Sequence, residues 1–186
     1  MAFKRMKCAA ILTALISINS GSAKAEESIG EWLMDFSHSK GVKEVSNKFY
    51  LEECGSCHFA YQPGLLPAKS WRILLTNQGL HNHFGEAADL DKETLRVIFD
   101  YAIENAADKS LYKISRKITV ATGDAETPLR ITDVRYIKRK HHGIPAKMIQ
   151  DNKEVKSLGN CNACHTEAGK GVFDRDTVSI PNFPDY

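Results

Sequence analysis

Cys54-Gly55-Ser56-Cys57-His58 and Cys161-Asn162-Ala163-Cys164-His165 are two copies of one pattern, C-x-x-C-H, whose first cysteines lie 107 residues apart. Four of the chain's five cysteines fall in these motifs, and the fifth, Cys8, lies near the N-terminus. C-x-x-C-H is the attachment signature of a c-type haem. Two thiols separated by two residues can form thioethers to the two vinyl groups of one porphyrin, and the adjacent imidazole is placed to ligate its iron. Cys54, Cys57, Cys161 and Cys164 are therefore expected to attach two haem c groups, with His58 and His165 as the proximal iron ligands.

Other uses of paired cysteines fit less well. A zinc site of four thiolates would not require a histidine after each pair. A thioredoxin-like dithiol would need one motif on a βαβ scaffold, and no such pattern is present. Disulfides are the default in an oxidising compartment, but the repeated spacing argues for haem.

Export is expected from the first residues. Lys4, Arg5 and Lys7 precede an apolar stretch from Cys8 to Ile18, and small residues end in Ala23-Lys24-Ala25 before Glu26 and Glu27. This is the layout of a secretory signal peptide cleaved after Ala25, which predicts a periplasmic protein. The 11-residue apolar core is well short of the roughly 20 residues of a helical membrane span, so no stable insertion is expected after cleavage.

Removing the four basic residues of positions 1–25 from the total of 25 leaves 21 against 23 acidic residues, a balance of −2. A global basic field for nucleic acid is absent, and no nucleic-acid partner is expected. Residues 26–110 hold 8 basic and 14 acidic residues, and residues 111–186 hold 13 and 9. These halves are expected to be two haem-binding lobes. Their opposite charge can orient a redox partner or help the halves pack.

The sixth ligand decides whether each iron carries electrons or binds small molecules. Beyond the motifs, residues 26–186 offer His38, His81, His83, His141 and His142, with Met34 and Met148. The 21 residues after His165 contain neither histidine nor methionine, so the distal ligand of the second haem must lie upstream. His141 and His142 are the best placed, with Met148 as competitor. For the first haem the nearest candidates are in His81-Asn82-His83-Phe84-Gly85, where Gly85 permits a tight bend and Phe84 can lie against the porphyrin. His83 and His141 are the chosen pair, with His81 and His142 as exposed neighbours or propionate partners.

Between the motifs the pattern is helical. A helix over residues 44–53 places Phe49 and Tyr50 one turn before Cys54, both expected to be buried. Ser70 can cap a short helix bearing Trp71, Ile73, Leu74 and Leu75. Asp91 is a stronger start, with Leu90 and Leu95 in staple positions and Leu95, Ile98, Tyr101 and Ala102 recurring at helical spacing to about Ala107. The pattern weakens over residues 108–127, where Lys117-Ile118-Thr119-Val120 alternates too briefly to establish a period and leaves room for a short strand or hairpin. Thr132 or Asp133 can cap a last helix through Tyr136, Ile137 and the basic run Lys138-Arg139-Lys140, ended by Gly143 and Pro145. The expected fold is mainly α and loop-rich, two small lobes packed around two covalently attached haems, with room for one lobe to be cytochrome c-like. Halves of about eighty residues cannot build large cores alone, and two porphyrins supply the missing apolar mass.

The sequence resembles the bacterial dihaem cytochrome c family. The likeness is carried by Cys54-Gly55-Ser56-Cys57-His58 with Ala60-Tyr61, Gly64-Leu65-Leu66-Pro67-Ala68, Ser70-Trp71, His83-Phe84-Gly85 with Ala87, Arg130-Ile131-Thr132, Lys140-His141 and the second motif. It implies two covalently bound haems with bis-histidine ligation, which favours His83 and His141, although the doubled His141-His142 leaves that pair open. It also implies redox partners such as another cytochrome c, including an oxygen-binding monohaem one, or a membrane b-type cytochrome.

The expected function is a periplasmic one-electron carrier, not an enzyme. The alternative is a dihaem protein with one open iron, acting as a peroxidase or small-ligand binder. High-spin iron in the resting protein, or rapid carbon monoxide binding, would mark that alternative.

Overall fold

A computed structural model of the chain describes residues 41–186. The expected leader, its cleavage after Ala25, and Met34 and His38 lie outside the described residues. Those described all belong to one compact unit. They contain six α-helices joined by loops and short 3₁₀ turns, with only isolated β-bridges and no strand among them. The mainly helical, loop-rich fold is as expected.

The chain enters extended through Val42 and Val45, both buried. Its backbone is held on two sides, by the Val42 amide donating to the Gly171 carbonyl at 2.9 Å and by the Ile114 amide donating to the Gly41 carbonyl at 3.0 Å. Gly41 and Gly171 permit this approach, since a Cβ on either would collide with backbone of the other segment. Helix α1 (Lys48–Cys54) starts later than expected because the Asn47 side chain accepts from the Tyr50 amide and caps it there. Tyr50 is buried, with its ring edge-on to Trp71 and tilted against Tyr101. Phe49, expected to be buried, is 51% exposed, because it points from the opposite side of this short helix.

Helix α2 (Ala68–Leu74) contradicts the expected Ser70 cap. Pro67 occupies the N-cap and has no side-chain acceptor, and the Asp108 carboxylate accepts from the Ala68 amide at 2.6 Å instead. Ser70 is fully buried inside the helix. Helix α3 (Asn77–His81) is capped by Thr76, whose hydroxyl accepts from the Gly79 amide. Helix α4 (Lys92–Glu104) starts as expected, with the Asp91 carboxylate accepting from the Glu93 and Thr94 amides at 2.9 and 3.1 Å. Ile98 and Ala102 on its inner face are fully buried.

Residues 117–120, whose pattern leaves room for a short strand or hairpin, are the middle of helix α5 (Lys113–Thr122). Ile114, Ser115, Ile118 and Thr122 recur at three- and four-residue spacing on the buried side, while Val120 is 84% exposed. Packing of that stripe outweighs the strand preference of the β-branched run. The helix ends at Gly123, whose φ is +57°, and the Lys69 ammonium donates to the Gly123 and Asp124 carbonyls. Helix α6 (Arg135–His141) follows a 3₁₀ turn at Ile131–Asp133, so neither Thr132 nor Asp133 is its cap. Val134 is the N-cap and is fully buried, its position fixed by packing. Asp133 bonds Lys138 in the helix, and Glu126 pairs with Arg135. Gly143, at φ +89°, follows the helix end as expected.

The main core joins Val42, Tyr50, Leu65, Leu66, Trp71, Leu74, Ile98, Ile118, Val134 and Tyr136. Downstream of α6 the described chain is loops and single 3₁₀ turns, organised by polar side chains. The buried Asn152 amide donates to the Pro181 carbonyl and its oxygen accepts from the Glu154 amide, while Asn160 donates to the Val155 carbonyl. This segment carries the second motif.

Candidate haem centres

The first motif leaves the end of α1. Cys54 is its last residue, and the Gly55 amide donates to the Leu51 carbonyl, a turn so close that a Cβ at 55 would strike that oxygen. The chain then turns outward, so Cys57 and His58 are exposed. The His58 Nδ1 lies 2.8 Å from the Phe59 carbonyl oxygen. A carbonyl only accepts, so Nδ1 carries the proton and Nε2 keeps the lone pair that a metal needs.

Helix α3 and the turn after it bring the partner. His83 and Glu86 exchange backbone hydrogen bonds, and Phe84 (φ +60°) and Gly85 (φ +106°) make the reversal between them. The His83 ring faces that of His58 with centres 6.2 Å apart and planes 15° from parallel. Phe84 sits edge-on to His83, and the Arg130 guanidinium lies 3.9 Å from the Phe84 ring centre. Burial, then the charges of His58 and Arg130, hold the His83 imidazole below its ordinary pKa. His81 is turned away and bonds Asp89 at 3.1 Å.

The second motif is a 3₁₀ turn at Cys161–Ala163, and the His165 amide donates back to the Cys161 carbonyl at 2.8 Å. A bridge between His165 and Val178 and the Ser179 amide donating to the Cys164 carbonyl fix the motif against the C-terminal segment. The imidazole facing His165 is that of His141, on the last residue of α6, with centres 6.0 Å apart and planes at 77°. The His141 Nδ1 donates to the Ile137 carbonyl at 2.9 Å, which again leaves Nε2 as the free lone pair. Phe173 also stands edge-on to His165, with ring centres 5.2 Å apart. Burial, then His141, lower the His165 pKa. His142 is exposed beyond the helix end, and Met148 is buried in the following turn.

Each centre thus pairs an imidazole whose Nδ1 donates to a backbone carbonyl with one, His83 or His165, whose Nδ1 is buried without a partner. The spacing fits an iron between them. Two metal–nitrogen bonds of about 2.0 Å, plus roughly 1.1 Å from each nitrogen to its ring centre, give about 6.2 Å. The four motif cysteines are free rather than in disulfides. Burial pushes the Cys54 thiol up to about 12 and the Cys161 thiol to about 11, and raises Cys164. Among the described residues no group of three or more His, Cys, Asp or Glu is arranged to hold a metal ion alone. The residues fit porphyrin attachment better than zinc.

Several contacts at the centres have no signature in the local sequence. Tyr61 packs against His58 with ring centres 5.1 Å apart, and its hydroxyl donates to the Gly159 carbonyl at 2.6 Å. Burial, then the Cys161 sulfur, push that hydroxyl to about 12. Gln62 is fully buried and its amide donates to the Ala168 carbonyl at 2.5 Å. Read along the chain, Tyr61-Gln62-Pro63-Gly64 is only a break in regular structure, and partners 98 and 106 residues away leave no trace beside it.

The sequence pattern of the family described as dihaem cytochrome c matches residues 50–173. A search of curated proteins returns no match. Among solved structures, the chain is similar to a dihaem cytochrome type c from Shewanella baltica OS155, with 40% identity and a TM-score of 0.60 over 74% of this chain and 95% of that one. It is also similar to a dihaem cytochrome c from Rhodobacter sphaeroides, with 37% identity and a TM-score of 0.62 over 71% of this chain and all of that one. With both motifs inside the matched span, the chain belongs to the dihaem cytochrome c family and is an electron-transfer haem protein.

Proposed function

We propose that the chain is a periplasmic one-electron carrier in which each iron is closed on both sides by imidazole. His58 and His83 would hold the first haem iron, and His165 and His141 the second. Cys54 and Cys57 would form thioethers to the first porphyrin, Cys161 and Cys164 to the second. When bound, haem supplies a reversible ferric–ferrous couple. The protein's residues would attach it through the four cysteines and offer two imidazoles to each iron.

The observation that carries this reading is the pair of His–His separations, 6.2 and 6.0 Å, each matching the span of one iron with two nitrogen ligands. Two imidazoles on each iron would leave no coordination position for a substrate, which supports the carrier over the open-iron alternative. The leader at residues 1–25 supports export, and the family supports partners that are themselves redox proteins, another cytochrome c or a membrane b-type cytochrome.

The test is the protein matured in a host able to attach haem. The intact mass should correspond to residues 26–186 plus two haems. Low-spin spectra in both oxidation states, with no response to carbon monoxide, are expected. A high-spin ferric signal or carbon monoxide binding at one haem would instead establish the open-iron alternative.

A further inference from the structure

Residues three and four positions after His58 reach to both flanks of the second motif. Tyr61 donates to the carbonyl of Gly159, two residues before Cys161, and Gln62 donates to the carbonyl of Ala168, three residues after His165. The Tyr61 backbone is itself fixed, because the Tyr50 hydroxyl donates to its carbonyl at 2.6 Å. The Gly159 oxygen accepts twice, from the Tyr61 hydroxyl and from the Cys161 amide at 2.9 Å. A continuous chain of contacts therefore runs from the His58 ring to the Tyr61 ring, through one hydroxyl and one carbonyl, to the backbone of Cys161. Gly159 leaves room for it, since a Cβ there would lie 3.1 Å from the Tyr61 hydroxyl oxygen.

We infer that Tyr61 is the positioning residue that couples the two haem centres, fixing their separation and governing electron exchange between them. One end of its contact chain is an iron ligand and the other is a thioether residue, so its two ends belong to different haems. The inference rests on the ligand assignment proposed above. In the exchange, one electron leaves a ferrous iron and reduces the ferric iron of the other centre. Tyr61 keeps its proton, is neither oxidised nor reduced, and no bond is made or broken. Phenylalanine at this position would keep the ring against His58 and delete only the hydroxyl link.

The experiment uses the dihaem protein and its Tyr61→Phe variant. Electron exchange between the haems is followed after flash photoreduction, and the separation of the two midpoint potentials is read from a redox titration resolved by electron paramagnetic resonance. Tyr61→Phe should retain two low-spin haems, slow the exchange several-fold and change the separation of the potentials. Gly159→Ala, which crowds the hydroxyl without removing it, should act in the same direction to a smaller extent and serves if Tyr61→Phe fails to mature. Exchange and potentials equal to the parent, even with lowered thermal stability, would overturn the inference and leave Tyr61 a structural tie. Failure of the ligand assignment would show separately, as a high-spin haem in the parent protein.

Discussion

His83 holds its imidazole within 15° of the plane of His58, whereas His141 and His165 are crossed at 77°. With iron between the rings, this difference is electronic. Parallel imidazoles donate into the same iron dπ orbital and split it from its partner, while crossed imidazoles donate one into each and leave the two nearly degenerate. The ferric protein should therefore show two low-spin signals, a rhombic one from the first centre and a highly anisotropic one with a large maximum g value from the second. His83→Ala should remove the rhombic signal and His141→Ala the anisotropic one. Two identical rhombic signals would contradict the crossed geometry.

The same pairs make a sharper claim about neighbouring histidines. His81 bonds Asp89 and His142 is exposed, so neither faces a motif imidazole. Replacing either with alanine should leave both haems six-coordinate and low-spin. Replacing His83 or His141 should produce one five-coordinate, high-spin iron that binds carbon monoxide when reduced. A high-spin signal in His142→Ala with a normal spectrum in His141→Ala would reverse the assignment at the second centre.

Acid should destabilise the protein in two separate ranges. Burial holds His83 and His165 below the ordinary 6.5, so as pH falls through that value the unfolded chain binds protons that the folded chain refuses. Stability is fully present above 6.5 and declines below it. Iron coordination favours the same neutral rings and reinforces the sign. The hydrogen bond to the Thr94 side chain, then those from the Thr94 and Glu93 amides, hold the Asp91 carboxyl below its ordinary 3.8, so its contribution is present above that value and is lost as pH falls below it. Denaturant midpoints measured against pH should fall first near 6.5 and again in the carboxylate range. A midpoint that rises on acidification from neutrality would contradict the histidine component.

How much of this was legible in the sequence depends on how far apart the deciding atoms lie. The haem motifs are covalent chemistry within five residues, and the Asp91 cap acts on amides two and three positions away, so both can be read locally. Lys117–Val120 looks like a strand because alternation over four residues does not define a period. Its helical state is decided by Ile114 and Ile118 packing on a core assembled from distant segments. Ranking His83 against His81 depends on a reversal at Phe84 and Gly85 that turns one ring inward, which composition does not encode. Tyr61 is the extreme case, with a partner 98 residues away.

Ser70 shows the same effect in a form that can be measured. Its hydroxyl is buried and the start of α2 is capped instead by Asp108, whose carboxylate accepts from the Ala68 amide across 40 residues. A charged acceptor at a helix N-terminus satisfies an otherwise orphaned donor and interacts favourably with the helix dipole. Asp108→Ala should therefore lower stability by about 1 kcal/mol, within the range of N-cap deletions. Asp108→Asn keeps the acceptor and should recover most of that loss. Ser70→Ala removes a hydroxyl with no partner and should cost less than Asp108→Ala, the reverse of what a Ser70 cap would require. Chemical denaturation of the three variants, each with both haems attached, checks the order. If Ser70→Ala proved the more damaging, the long-range cap would be wrong.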